Sequence, residues 1–314
     1  MTVFLTGATG FVGSHMLERL AADGHTVRAL VRDPERARAG ITRLNGRAAQ
    51  ALASGTVQLA HGDVVTGAGL EAGVDGCEAV VHLVGIIMQT RGATFEAAHF
   101  TATRNLLAEA AESGSVRRWL QMSALGARAD GVSQYQTTKW RAEELVRTSG
   151  IPFVILRPSI IFGPRDGFVS QMVQVMKSAP LLRPVPGHGR YRFRPVWIGD
   201  VVECFAQSLT HDRALGQAIH LVGAEELALE ELLAEIARCV GVRKPAVKVP
   251  FPIMYMNAAI LQTILPRPPV TTDQLRMLRE GSTADPAPML ETFNLHPLGF
   301  REGLNKYLCP PQTS

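Results

Sequence analysis

The most constraining feature of the sequence is a glycine-rich turn that joins an apolar strand to a helix at the start of the chain. Residues 3–5 are apolar and β-rich, and TGATGFVG, residues 6–13, follows them directly. In such a turn Gly7 can form the tight bend, Gly10 lets the backbone approach a ligand, and Gly13 allows the helix to pack closely on the sheet. The free N–H groups and the dipole of the helix attract an anion. The pattern therefore predicts a phosphate-binding cradle.

Short β-rich runs alternate with helical patterns through the first half of the chain, and this alternation predicts an α/β fold. Parallel strands with crossover helices give a doubly wound sheet of the Rossmann type with helices on both faces. The predicted strands are residues 3–5, 27–31, 57–60, 79–84, 119–122, 153–156 and 218–222, and the predicted helices are residues 11–22, 93–113, 135–149, 171–177, 201–209 and 229–240.

The second half of the chain loosens into Gly- and Pro-rich loops, which predicts a smaller lobe. We expect residues 1–165 to form the nucleotide-binding domain, with residues 195–223 returning to it. Residues 166–314 then form a smaller C-terminal α/β lobe, interleaved with the first domain, that contacts a substrate or a partner.

The composition excludes several classes of function. The chain has 32 Lys and Arg against 28 Asp and Glu, a formal charge of +4, and no long basic run. We therefore expect no nucleic-acid partner. Its four cysteines are scattered, without a C-x-x-C pair or a neighbouring His, so we expect reduced thiols and no metal site. The chain opens directly on a strand, leaving no room for a signal peptide, which predicts a cytoplasmic protein.

Residues 249–265, VPFPIMYMNAAILQTIL, form an uncharged segment bracketed by Pro250, Pro252 and Pro266. The segment is too short and too rich in flanking prolines for a membrane span. It is typical of a buried or capping helix. The alternative is peripheral contact with a membrane or docking on a partner complex.

The G-x-x-G-x-x-G spacing of TGATGFVG resembles the extended and atypical short-chain dehydrogenase/reductase superfamily. Further motifs extend the resemblance over most of the chain: ALVRDPERA, His99, LRPSIIFGP, and the apolar segment before TTDQLRMLRE. Their combination is most similar to the atypical branch related to the complex I subunit NDUFA9. The resemblance implies a Rossmann fold and a bound NAD(P).

Arg32, at the end of the second predicted strand, predicts a preference for NADP(H) over NAD(H). In dinucleotide folds this position contacts the adenine ribose, and a guanidinium there can bind a 2′-phosphate. Two alternatives remain, since Asp33 can accept from the ribose of NAD and Arg32 can be solvated. Together with the positions that the resemblance implies, the candidate cofactor residues are Thr6, Gly7, Thr9, Gly10, Phe11, Val12, Gly13, Arg32, Asp63, Val64, Val84, Gly85, Tyr135, Lys139, Pro158, Ile160 and Ile161.

Tyr135 and Lys139 lie four residues apart, which places a phenol and an ammonium on one helix face. A close ammonium favours the phenolate, so the pair can act as an acid/base unit. Ser123 precedes Tyr135 by twelve residues, and the resemblance implies that its hydroxyl orients a substrate oxygen. The predicted catalytic residues are therefore Ser123, Tyr135 and Lys139.

One position departs from the superfamily's pattern. His99 stands where the resemblance aligns an asparagine of the proton relay. His99 can relay protons instead, or it can be a hydrogen-bonded core histidine. We interpret the nearby Asn105 as a packing residue rather than a displaced member of the relay.

Two classes of function follow. In the first, the protein is an NAD(P)-dependent oxidoreductase in which Tyr135 exchanges the proton, with a nucleotide-sugar epimerase or reductase as a variant. In the second, it is a non-catalytic NADP(H)-holding accessory or sensor of a respiratory complex or of quinone biosynthesis. Tyr135 and Lys139 favour the first class, and His99 and the apolar segment 249–265 favour the second. We predict the oxidoreductase, with a small-molecule substrate that the sequence does not identify.

Overall fold

Strands and helices alternate along the described part of the chain, residues 1–179, 181–266 and 268–309 of a computed structural model. Its strands are β1 (Thr2–Thr6), β2 (Thr26–Val31), β3 (Val57–His61), β4 (Ala79–His82), β5 (Arg118–Met122), β6 (Phe153–Pro158), β7 (Ile161–Phe162), β8 (Arg183–Pro186), β9 (Arg192–Phe193), β10 (Val196–Trp197), β11 (Ala218–Leu221), β12 (Leu227–Ala228) and β13 (Ala246–Val249). Its helices are α1 (Phe11–Ala22), α2 (Pro34–Leu44), α3 (Arg47–Ala53), α4 (Leu70–Val74), α5 (Ala102–Ser113), α6 (Gln134–Arg147), α7 (Phe168–Ser178), α8 (Ile198–Thr210), α9 (Leu229–Cys239), α10 (Phe251–Ile264), α11 (Thr272–Glu280), α12 (Ala287–Phe293) and α13 (Phe300–Tyr307), with a π-helical turn at Glu96–Thr101 and a 3-10 turn at Asp212–Ala214.

Seven strands of the described residues form one central sheet in the order β11-β6-β5-β4-β1-β2-β3. The pairs from β1 to β6 are parallel, and β1 lies between β2 and β4, with Val3 opposite both Val27 and Ala79. The predicted doubly wound Rossmann-type sheet is confirmed. In such sheets ligands bind beyond the carboxyl ends of the strands where the strand order reverses. Here that point lies between β1 and β4.

The chain divides into two compact units. The first comprises Met1–Gly131, Tyr135–Arg157 and Val202–Ile219. The second comprises Val132–Gln134, Pro158–Val201 and the chain from His220 onward. The first unit thus ends eight residues before the predicted boundary at 165, because the chain after β6 forms β7, which pairs with β10 inside the second unit.

Most of the uncharged segment 249–265 forms α10. Of the expected buried or capping helix, the buried alternative is wrong. Of its side chains, Phe251 and Ala258 are buried and pack with Leu275 of α11. Most of the others are exposed. None of the helices in the described ranges is both long and apolar enough to span a lipid bilayer.

The expectation that every cysteine is reduced is wrong for two of the four. Cys239, at the end of α9, forms a disulfide with Cys309, which follows α13. Both residues lie in the apolar core of the second unit, where Leu304 of α13 packs with residues of α9. This packing joins cysteines that are 70 residues apart in sequence. Cys77 and Cys204 are buried and take no part in this disulfide.

The glycine-rich turn after β1 is held by a very close contact between α1 and the preceding backbone. Gly7 has a φ of 77°, which favours glycine. A Cβ atom on Gly13 would lie 1.9 Å from the Gly7 carbonyl oxygen, so α1 can begin this close to the strand only if residue 13 has no side chain. Gly10 closes the turn by donating its N–H to the Gly7 carbonyl at 2.9 Å.

We predict that Gly13→Ala lowers the free energy of unfolding by about 2 kcal/mol, because the added methyl group forces the backbone apart. The matched control is Gly40→Ala in α2, where a Cβ atom has open space. It should raise the free energy of unfolding by about 0.5–1 kcal/mol through helix propensity. Urea unfolding of both variants measures the two effects. Equal values for the two variants would contradict the close contact.

Candidate functional site

The carboxyl end of β1 presents an open helix N-terminus. The first turn of α1 contains no acidic residue, and its N-cap, Gly10, forms no side-chain cap. Thr9 and Gly10 are exposed, whereas the side chain of Thr6 is buried and its hydroxyl bonds His82 Nδ1 at 2.7 Å. Phe11 is half-buried and Val12 is buried. Backbone N–H groups at the positive end of the α1 dipole are the donors that a pyrophosphate requires, so this turn fits the predicted cradle.

The end of β2 leads into Arg32 and Asp33, and both residues are exposed. Asp33 is the N-cap of α2, and its Oδ1 accepts a hydrogen bond from the Arg36 N–H at 3.0 Å. The carboxylate is therefore used locally by the helix.

Beyond β3, Asp63 and Val64 lie in a turn that α5 supports. Asp63 Oδ1 accepts from the Val65 N–H at 2.7 Å. The side-chain amide of Asn105 donates to the Val64 and Val65 carbonyl groups at 3.1 and 2.9 Å. These bonds fasten the turn to α5, which agrees with the interpretation of Asn105 as a packing residue.

The end of β4 leads through Val84 to Gly85, and Gly85 lies against Lys139. A Cβ atom on Gly85 would lie 2.8 Å from Lys139 Nζ and 3.5 Å from His99 Nε2. Lys139 is buried and donates to the Met122 carbonyl at the end of β5 at 3.0 Å. Burial lowers the pKa of Lys139 to about 8, an effect that the charge of Glu143 opposes. The lysine therefore meets the sheet edge at the same place as the glycine turn.

Tyr135 begins the same face of α6 and lies in an aromatic cluster. Its ring packs edge-on against His99 and Phe95, at centroid distances of 5.3 and 5.7 Å. Burial raises the pKa of the Tyr135 phenol to about 12. The phenol is therefore neutral at physiological pH, in contrast to the phenolate that the sequence expects Lys139 to favour. The cause is that desolvation disfavours the charged form.

His99 is a core histidine with both ring nitrogens engaged. Nδ1 hydrogen-bonds the Thr138 hydroxyl at 2.9 Å, and Nε2 contacts both the N–H and the carbonyl of Ile86 at 3.2 and 3.1 Å. Burial, with the nearby Lys139 charge, lowers the pKa of His99 to about 2, so the ring is neutral. The π-helical turn Glu96–Thr101, which the sequence did not predict, carries it. Such turns are frequent at functional sites.

Ser123 directs its hydroxyl hydrogen into a buried ionic cluster. Its Oγ donates to Glu143 Oε1 at 2.5 Å, and the Glu143 side chain has no exposed surface. Arg157 donates to both oxygens of Glu143 at 2.8 and 2.5 Å, and Arg147 donates to Oε2 at 2.9 Å. The hydroxyl can therefore accept a further hydrogen bond, but its single proton is already used.

The remaining predicted positions belong to the second unit. Pro158 ends β6 and is buried, Ile160 is half-buried, and Ile161 lies in β7 opposite Val196. Within the described ranges, no group of three His, Cys, Asp or Glu side chains has the arrangement to hold a metal ion.

The first unit thus brings the glycine turn, Gly85, Tyr135 and Lys139 to one edge of the sheet. Sequence reasoning missed Glu143, although it continues the Tyr135-Lys139 spacing by a further four residues. It also missed Thr138 as the partner of His99. The spacing alone indicated that Glu143 shares the helix face, but nothing in it indicated that Ser123 would be its partner.

This fold and this edge define a Rossmann-type dinucleotide-binding protein. The chain belongs to the NAD(P)H-binding family, whose model matches residues 7–173. The resemblance to the extended short-chain dehydrogenase/reductase superfamily, including its complex I-related branch, is confirmed.

Two curated proteins are similar to the chain in sequence, and one solved structure is similar in fold. The chain is 29% identical over 259 residues to NADH dehydrogenase (ubiquinone) 1 alpha subcomplex subunit 9, mitochondrial, of Arabidopsis thaliana, covering 82% of this chain and 62% of that protein. It is 32% identical over 181 residues to a ceramide reductase of Caulobacter vibrioides, covering 57% of this chain and 52% of that protein. It thus spans less than two thirds of either relative. UDP-glucose 4-epimerase of Thermotoga maritima shares the fold, with a TM-score of 0.73 at 17% identity over 98% of this chain and 97% of that chain.

We predict that Glu143→Gln lowers the free energy of unfolding by about 2 kcal/mol, since two arginines lose their carboxylate partner at a buried position. The matched control is Glu144→Gln, because Glu144 also pairs with Arg147 but its side chain is 46% exposed. The control should change stability by less than about 0.5 kcal/mol. Thermal and urea unfolding measure both variants. Similar losses in the two variants would show that the Glu143 cluster is not a buried ionic centre.

Proposed function

We propose that the protein is an NADPH-dependent carbonyl reductase in which Tyr135 donates the proton. The observation that carries this proposal is the position of the Tyr135 phenol one helical turn from Lys139, whose side-chain nitrogen lies against Gly85. A neutral phenol is a proton donor rather than a base. When a hydride adds to a carbonyl carbon, the carbonyl oxygen needs a proton from such a donor.

The first unit offers each group that the cofactor requires. The open N-terminus of α1, from Thr9 to Gly13, would bind the pyrophosphate. Asp63 and Val64, beyond the end of β3, would contact the adenine side. Lys139 beside Gly85 would hold the nicotinamide ribose. When bound, the cofactor supplies the hydride for the substrate carbon.

The catalytic residues then divide their roles. Tyr135 touches the substrate oxygen and gives it the proton, while Lys139 stabilises the phenolate that remains. Ser123 acts as a positioning residue. Its hydroxyl donates its single proton to Glu143, so that proton is not available to polarise a substrate carbonyl. His99 holds the Tyr135 ring and the Gly85–Ile86 backbone and remains neutral.

The preference for NADPH over NADH rests on the end of β2. Arg32 is exposed beside the first turn of α2, and Asp33 is engaged as the N-cap of that helix. A carboxylate turned toward the ribose would repel a 2′-phosphate, whereas a free guanidinium attracts it.

We predict that Arg32→Ala weakens NADPH binding about tenfold and leaves NADH binding nearly unchanged, because a charge-assisted contact to the 2′-phosphate is lost. Arg43→Ala, at the other end of α2 and also exposed, is the matched control and should change neither affinity. Fluorescence titration of both cofactors measures this. Equal weakening for NADPH and NADH in Arg32→Ala would contradict the assignment.

We predict that Tyr135→Phe lowers kcat for carbonyl reduction by about 10²–10⁴ while the Kd for NADPH stays unchanged, since only the proton donor is removed. Reduction by the wild-type protein should fall as pH rises through about 8, because the Lys139 ammonium loses its proton there while the Tyr135 phenol keeps its own until about pH 12. Aldehydes, ketones, quinones and nucleotide-sugars are tested as substrates, with NADPH consumption and product formation both recorded.

The control for this experiment is Tyr255→Phe, which removes a hydroxyl from α10 in the second unit. Turnover that survives in Tyr135→Phe would show that another group donates the proton. Conversion of a nucleotide-sugar without net NADPH consumption would indicate an epimerase instead of a reductase.

The second candidate function is that of a non-catalytic NADPH holder in a larger assembly. The name of the Arabidopsis relative, a subunit of NADH dehydrogenase, favours it, together with the exposed side chains of α10. Tight NADPH binding without turnover of any of the four substrate classes would support this function and contradict the reductase.

A further inference from the structure

The outward face of α10 is apolar and exposed. Ile253, Met256, Ile260 and Ile264 have exposed fractions of 47%, 59%, 51% and 68%. Their spacing of three, four and four residues places them on one side of the helix, which contains no charged residue. These four side chains define the α10 face.

The opposite side of α10 packs on the second unit. Phe251 and Ala258 are buried in a cluster with Leu275 of α11. The Phe251 ring also packs edge to face against Tyr191 and at a tilt against Tyr255. The helix is therefore fixed in the second unit by one side while its other side meets solvent. A row of large apolar side chains held in this way is typical of an interaction surface.

Positive charge surrounds the α10 face. Between residues 240 and 281 the sequence has six Lys or Arg and two Asp or Glu, so this segment carries the formal +4 of the whole chain. Arg243 precedes α10 and Arg279 lies on α11, which packs beside α10; both are exposed and form no ion pair with a described residue. Lys248 and Arg276 are exposed as well, in pairs with Glu230 and Asp273.

We propose that the α10 face binds a membrane surface that contains anionic lipids. An apolar row of this size is comparable to a single acyl chain, which anchors only marginally, and a second, electrostatic signal makes such binding stable. The cations around α10 supply that signal for anionic headgroups.

The same charges disfavour a second copy of this chain as the occupant. A symmetric dimer through the α10 face would bring two segments of like charge together, and like charges opposed across an interface repel. An anionic surface instead complements the segment. This inference goes beyond the proposed reductase activity and does not depend on it.

The test is sedimentation of the full chain with vesicles of phosphatidylcholine alone, or with about one third phosphatidylglycerol. The protein should pellet with the anionic vesicles and bind them at least about tenfold more strongly than the neutral ones. The double variant Met256→Glu/Ile260→Glu should lose at least about tenfold of this binding, because it places charge on the apolar row. Added salt should weaken wild-type binding.

The matched control is Leu44→Glu, which introduces the same charge at an apolar side chain of the first unit that is 45% exposed. This variant should bind vesicles like the wild type. NADPH titration of each variant reports whether the fold is intact. Equal binding to neutral and anionic vesicles, or full binding by the double variant, would overturn the proposal. A wild-type dimer that the double variant dissociates, without vesicle binding, would assign the face to a second copy.

Discussion

The contact between Gly13 of α1 and the carbonyl group of Gly7 is the constraint on which the candidate site depends. Because neither residue has a side chain, α1 begins directly at the end of β1, and its N–H groups open at the carboxyl edge of the sheet. The strand order makes β4 the neighbour of β1, so the turn after β4 lies against the glycine turn, with the backbone of Leu83 3.1 Å from a Cβ position on Gly7. Lys139 reaches this junction beside Gly85. An anion bound there would meet a helix dipole and an ammonium together.

Helix α6 holds Tyr135 and Lys139 at that edge of the sheet because two of its side chains hydrogen-bond to the end of β5. Lys139 donates to the Met122 carbonyl, and Glu143 accepts from the Ser123 hydroxyl. The two attachments are one helical turn apart and bind consecutive residues of the chain. Tyr135 lies one further turn toward the start of the helix. Its ring position is therefore set by backbone and ionic contacts deeper in the unit. The Glu143 cluster acts on the reaction through this placement and through the charge of Glu143, which opposes the lowering of the Lys139 pKa.

The sequence predicted what short-range spacing encodes. The three glycines, the alternation of strands and helices, and the shared helix face of Tyr135 and Lys139 each follow from residues close together in the chain. The π-helical turn at His99 did not follow, because the hydrogen bonds of His99 go to Ile86 and Thr138, which lie far away in sequence. The Ser123–Glu143 contact also depends on the tertiary approach of β5 and α6.

For α10, the helix was predictable from its composition, but the side of the helix that packs on the protein was not. An uncharged helical segment can be buried all round or packed on one side, and only its neighbours decide between these outcomes. Here α11 covers one side, so Ile260 and Ile264 remain exposed. The Cys239–Cys309 disulfide likewise depends on the packing of helices that are distant in sequence.

The shifted pKa values of Tyr135 and Lys139 bear on the proposed chemistry. With the pKa of Tyr135 raised from 10 to about 12, the phenolate is roughly a hundredfold rarer at neutral pH than for a free tyrosine, so the proton is present on the phenol when a substrate binds. The raised pKa also makes the phenol a weaker acid, so donation depends on stabilisation of the phenolate that remains. The residual phenolate needs a cation beside it, and an anion bound near Lys139 raises the pKa of Lys139 from its value of about 8. Cofactor binding would therefore increase the fraction of Lys139 that is protonated, and the reduction requires this ammonium. Cofactor binding and proton donation are thus coupled through Lys139.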